Sequence, residues 1–145
     1  MNHIRKVRTG LEKSRSFKRF EDITAWQKAR SLTNVIYEIT KRNGCFFRDF
    51  DLVRQIRRCA VSTMSNIAEG SERDGNREFV NFLSIAKGSC GELRSHLYAA
   101  VDQKYLSQEE FDQVLRQAAE VSRVIAGLMT YLRGSKVKGQ KFKNP

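Results

Sequence analysis

A chain of 145 residues suits one domain, with a core able to bury roughly two-thirds of the unfolded surface. At 40% hydrophobic and 10% aromatic residues it is not a disordered polymer, and its formal charge of +11 comes from 27 Lys and Arg against 16 Asp and Glu. No window approaches the roughly 20 consecutive apolar residues of a membrane span, the basic N-terminus is not followed by the apolar stretch of a secretory signal, and Cys45, Cys59 and Cys90 form no CxxC pair.

The cysteine spacing argues against a zinc ribbon and against a disulfide framework, so reduced thiols in a cytoplasm are the simplest reading. The only proline is Pro145, and no run of alternating β-branched residues lies between turn pairs. Nothing internal to the chain therefore breaks a long helix, and the fold class expected is all-α.

The first element is a basic arm, residues 1–19. It carries Arg5, Lys6, Arg8, Lys13, Arg15, Lys18 and Arg19 against one acid, a charge of +6. Glycine and serine separate the cations, so a flexible arm is expected.

The first helix is expected from about Asp22 to Arg42. Asp22 or Thr24 can cap it, because either side chain can accept from the free N–H groups of the first turn. Ala25, Ala29, Leu32, Ile36 and Ile39 keep one stripe toward a partner helix. Asn43-Gly44 is the expected stop. The connection that follows holds Phe46, Phe47 and Phe50, which are expected to plug one end of a bundle.

The second helix is expected from Asp51 to Glu69, stopped by Gly70. Leu52, Ile56, Ala60, Met64 and Ile67 form its apolar face. Ala60, Ser62, Ser65 and Ala68 are small enough for close packing, and Arg58, Ser62, Ser65 and Glu69 recur as a polar stripe. A fully solvated face would carry long charged residues there, so this stripe is the candidate subunit interface. Arg54, Arg57 and Arg58 cluster on one turn. They are candidate phosphate contacts, although pairing with carboxylates of a neighbouring helix or subunit is the favoured reading in a charge-neutral body.

Gly70 to Asn76 reads as a turn. The third helix, about Asn76 to Lys104, turns Phe79, Phe82, Ala86, Cys90, Leu93, Leu97 and Ala100 inward. Gly88 and Gly91 lower its intrinsic propensity by about 1 kcal/mol each and are expected to permit close helix contact. Ser107 and Glu110 form a capping box that opens the fourth helix, about Ser107 to Arg133. Its heptad is Phe111, Val114, Ala118, Val121, Ile125, Leu128 and Leu132. A second arm follows, 134–145. With Arg133 it supplies Lys136, Lys138, Lys141 and Lys143 and no acid, a charge of +5. Residues 20–132 hold 15 basic and 15 acidic residues, so the body is neutral. Short connections force these helices into an antiparallel up-and-down four-helix bundle.

Tests for catalytic chemistry fail on spacing. A di-iron bundle needs two Glu-x-x-His pairs, whereas Glu92 precedes His96 by four positions and no second pair exists. His96 is expected to be a surface or interface histidine. No phosphate loop, GxGxxG or GxSxG is present, and Cys90 lies on the far side of its helix from His96. The expectation is no enzyme, no metal and no cofactor. The arms suit a polyanion, because charge neutralisation releases counterions without fixed geometry. A solubilising tail is the plainer reading, and an anionic membrane surface the weakest.

Six stretches on three helices resemble a known family. Phe20-Glu-Asp-Ile-Thr-Ala-Trp-Gln-Lys-Ala-Arg30 is similar to the opening helix of the four-helix-bundle family of the 23S rRNA intervening-sequence protein. Gln55-Ile-Arg-Arg58 and Ser65-Asn-Ile-Ala-Glu-Gly70 resemble its second helix. Glu78-Phe-Val-Asn-Phe-Leu83, Ala86-Lys-Gly-Ser89 and Gly91-Glu-Leu93 resemble its third. The resemblance spans about residues 17–133. Many members carry proline where Met64 stands, so the second helix is expected to run straighter here. The resemblance implies a homopentameric ring. It also implies kinship with the accessory variability determinants of diversity-generating retroelements, which bind nucleic acid and a reverse transcriptase. Three functions follow: an oligomeric binder of nucleic acid, RNA preferred over DNA; a retroelement accessory protein partnered by a reverse transcriptase; or a structural oligomer without a nucleic-acid role.

Overall fold

The computed structural model describes residues 19–42 and 44–135. With no proline to interrupt them, four long helices form: α1 (Thr24–Thr40), α2 (Phe50–Glu72), α3 (Gly75–Asp102) and α4 (Gln108–Gly134). A 3₁₀ turn, Phe20–Asp22, precedes α1, and a single helical turn, Cys45–Arg48, leads into α2. No strand occurs among the described residues. Each long helix packs on the next in the chain, and α1 closes the square on α4. Lys28 pairs with Glu120 and Arg42 with Glu110, so numbers rise along α1 as they fall along α4, the register of antiparallel neighbours. Such exposed pairs mark register more than they add stability.

The core is one apolar cluster from Ile23 to Leu132, in which Leu32, Ile36, Ile56, Leu83, Leu93, Leu97 and Ile125 are fully buried. The heptad positions Ile39, Leu52, Met64 and Leu128 sit half-buried beside it, while Thr40, Val53, Thr63 and Met129 are buried. A straight helix drifts by about 20° per heptad from a 3.5-residue repeat, so toward the helix ends a residue beside the strict heptad position shares or takes the inward place. Buried Thr33, Thr40 and Thr63 each donate to the carbonyl four residues back, so their hydroxyls need no other partner in an apolar core.

Several helix ends differ from the sequence reading. Neither Asp22 nor Thr24 caps α1. Ile23 takes the cap position and is buried instead, anchoring the chain by apolar contact. The helix ends at Thr40, and Gly44, at φ 147°, begins the next turn in a conformation that side chains disfavour. Asn43 lies outside the described residues. The Ser107–Glu110 capping box forms as expected, and α2 continues unbroken through Met64.

The glycines also change roles. Gly70 does not stop α2, which continues to Glu72. It is buried, and a Cβ there would stand 2.7 Å from Phe82 Cβ and 3.3 Å from the Phe79 carbonyl oxygen. Gly70 is therefore a point of close approach between α2 and α3. Gly88 has nothing within 4 Å of such a Cβ, and Gly91 only an Arg94 side-chain nitrogen at 3.7 Å, so neither serves the close contact expected of it. The turn shrinks to Arg73 and Asp74, with Gly75 at φ 82° starting α3.

Of the three connecting phenylalanines only Phe46 is a plug. It is buried and stacks on Tyr105 with ring centroids 5.2 Å apart. Phe47 and Phe50 face outward against each other. Among the described residues, no helix is long and apolar enough to cross a membrane.

Candidate functional site

The antiparallel pairing of α1 with α4 places Arg19 and Ser135, where the two basic arms join, at the same end of the bundle. Asn76, at the start of α3, donates to the Leu132 carbonyl at this end. The arm residues Arg5, Lys6, Arg8, Lys13, Arg15, Lys18, Lys136, Lys138, Lys141 and Lys143 lie outside the described residues. Arg19 pairs with Glu21. Arg133 is exposed and lines a shallow groove of about 480 Å³ with Lys87, Ser84, Gly88 and Thr130. The bare Gly88 backbone keeps this groove open, and Lys87 and Arg133 make it cationic. Lys87 carried no signal in the sequence, because one lysine on an exposed helix face is ordinary.

Toward the other end, α1, α2 and the Cys45–Arg48 turn frame a wider open groove of about 760 Å³. Tyr37, Phe47, Phe50 and Val61 form its apolar surface, with Phe50 70% exposed. The three arginines of α2 border it. Arg57 Nε donates to Thr40 Oγ1 at 2.9 Å, and its guanidinium lies 4.6 Å over the Tyr37 ring. Arg54 meets Asp51 of its own helix at 3.3 Å, both exposed. Arg58 is exposed, with no ion pair among the described residues. Among the described residues none of the three pairs with a carboxylate of a neighbouring helix, one of the two partners the sequence reading favoured, the other being a neighbouring subunit; within the chain the partners are a hydroxyl, a ring and a carboxylate on α2 itself.

The polar stripe divides. Ser62 Oγ lies 2.9 Å from Ser89 Oγ across α2 and α3 and also accepts from Asn66 Nδ2, so it is used within the chain. Glu69 pairs with Arg73, whose guanidinium covers Phe82. Ser65 is exposed, and Arg58 belongs to the groove.

A third cluster was hidden in the sequence. Cys59 on α2 faces Glu92 and His96 on α3, with one ligand atom of each residue within 4.8 Å of the others. Burial and the adjacent Glu92 carboxylate push the Cys59 thiol up to about 11, so it stays protonated near neutrality. His96 Nε2 is buried and makes no hydrogen bond among the described residues, although Glu92 Oε1 stands 3.5 Å away. His96 as a whole is partly buried. Cys90 lies elsewhere, its Sγ 3.2 Å from the Ala118 carbonyl oxygen, and burial raises its thiol too. The Glu92/His96 spacing is readable along one helix, but no periodicity says that Cys59 lies opposite.

These elements define a class: an all-α antiparallel four-helix bundle with basic extensions at one end. The model of the 23S rRNA-intervening sequence protein family matches residues 21–127, and the chain belongs to that family. A solved structure from Bacteroides thetaiotaomicron, described as a protein with unknown function from the S23 ribosomal protein family, superposes with a TM-score of 0.67. The match covers 73% of this chain and 98% of that one, at 19% identity, a likeness of fold. No curated protein matches the chain significantly.

Proposed function

We propose that the chain is a non-enzymatic, oligomeric nucleic-acid-binding protein of the cytoplasm, with RNA its preferred ligand. One observation carries this reading: the whole excess charge lies beyond a neutral body, and both arms join it at one end. Arg133 and Lys87 continue that cationic surface onto the bundle. A polyanion held there neutralises many charges without a fixed docking geometry. The full chain is expected to shift a structured RNA in a native gel near physiological salt, and the affinity should fall steeply as salt rises. No shift, or a shift indifferent to salt, overturns the reading.

The aromatic groove supports self-association. Tyr37, Phe47, Phe50 and Val61 present apolar surface that a second copy of the chain would cover, and Arg58, with no ion pair among the described residues, supplies a cation at its border. The family resemblance makes the expected assembly a pentamer, with the interface centred on this groove rather than on Ser62 and Glu69. Phe50→Glu is expected to lower the sedimenting mass toward that of the single chain while helical content is kept. An unchanged assembly, or a wild-type chain that is already monomeric, removes this part of the proposal.

A further inference from the structure

We propose that Cys59, Glu92 and His96 form a binding site for one zinc-class divalent cation, bridging α2 and α3. Glu92 and His96 stand one turn apart on α3, and Cys59 meets them from α2, which packs along α3. A thiolate, an imidazole and a carboxylate form a donor set that zinc accepts.

The geometry is close to what an ion needs. Tetrahedral zinc, with bonds of roughly 2.0–2.3 Å, sets its ligand atoms about 3.3–3.8 Å apart. The three atoms here lie within 4.8 Å of one another, and Glu92 and His96 are already at 3.5 Å. The closure required is at most about 1–1.5 Å. Glu92 is exposed and His96 partly so, and both can turn toward a sulfur held in the helix packing.

The second observation is the unspent nitrogen. His96 Nε2 is buried without a hydrogen bond among the described residues. A buried polar atom left unpaired is costly, and a cation gives its lone pair a partner. Arg58 acts electrostatically on Cys59 and opposes a cation, but two anionic ligands outweigh one guanidinium. When the ion binds, the Cys59 proton leaves to solvent and the sulfur coordinates as thiolate. Water takes the fourth position on the exposed Glu92 side. The ion would clamp the two helices that Ser62 and Ser89 already join by a hydrogen bond.

Cobalt(II) is the probe, titrated into the reduced full chain with a phosphine as the reductant. One equivalent per chain should produce thiolate-to-cobalt charge-transfer absorption and tetrahedral visible bands, both removed by zinc. Cys59→Ala should abolish the charge-transfer band, whereas Cys45→Ser and Cys90→Ala should leave it. His96→Gln should weaken cobalt binding by about 100-fold or more. Zinc should raise the melting temperature of the wild type and not that of His96→Gln. Absence of the band with cobalt in excess overturns the proposal, as does a band that survives Cys59→Ala or binding unmoved by His96→Gln. Should Cys59→Ala fail to fold, His96→Gln and Glu92→Gln, which alter the solvent-reaching members, decide the question alone.

Discussion

A chain lacking residues 1–19 and 134–145 is expected to lose RNA binding near physiological salt while keeping its helical content and cooperative thermal transition. The truncation removes Arg5, Lys6, Arg8, Lys13, Arg15, Lys18, Arg19, Lys136, Lys138, Lys141 and Lys143, and leaves a body whose charges nearly cancel. Each phosphate neutralised contributes about 0.7–0.9 to the slope of log affinity against log salt. If six to ten of these cations touch phosphate, affinity falls by about 10³–10⁵ between 50 and 200 mM salt, and the truncated chain should show almost none of that slope. The bundle survives because the apolar cluster runs from Ile23 to Leu132, inside both cuts. Binding by the truncated chain with the original salt slope would place the ligand on the bundle and refute the arms' role.

The second large effect is an inversion between two glycines. Replacing a helix glycine by alanine gains about 1 kcal/mol when nothing stands in the way. Gly88→Ala meets no atom within 4 Å and is expected to stabilise by about that amount. Gly70→Ala is expected to destabilise by about 1–3 kcal/mol, because its Cβ would stand 2.7 Å from Phe82 Cβ. The obstructing atom is fixed to the α3 backbone, so shortening the side chain with Phe82→Ala should not rescue Gly70→Ala. Urea unfolding midpoints of the four proteins measure this directly. A stabilising Gly70→Ala would mean that the helices can part at that point without loss.

The same glycines show how far the sequence could be read. The four helices were legible because each apolar spacing is a property of one helix, and so was the Ser107–Glu110 box, whose partners lie one turn apart. What failed depends on two helices at once. Gly70 looked like a helix stop because glycine often is one, and its true role becomes visible only when Phe82 is placed against it. Phe47 and Phe50 looked like core because they are apolar, yet the Cys45–Arg48 turn has room beneath it only for Phe46. Cys59 gave no signal, since nothing along the chain records that it lies opposite Glu92 and His96. The candidate site was legible as charge and composition, and its geometry was not.

The shared end of the two arms gives the subunit a polarity, and that polarity makes the symmetry of any assembly consequential. Rotation about an axis parallel to the helices carries every arm junction to the same rim, giving a one-sided disc with all junctions on one face. A perpendicular two-fold would instead put junctions on both faces. Under the proposed function the first object would coat one polyanion and the second would tie two together, so the point group into which the neutral bundles close would decide between lining a single RNA and bridging two molecules.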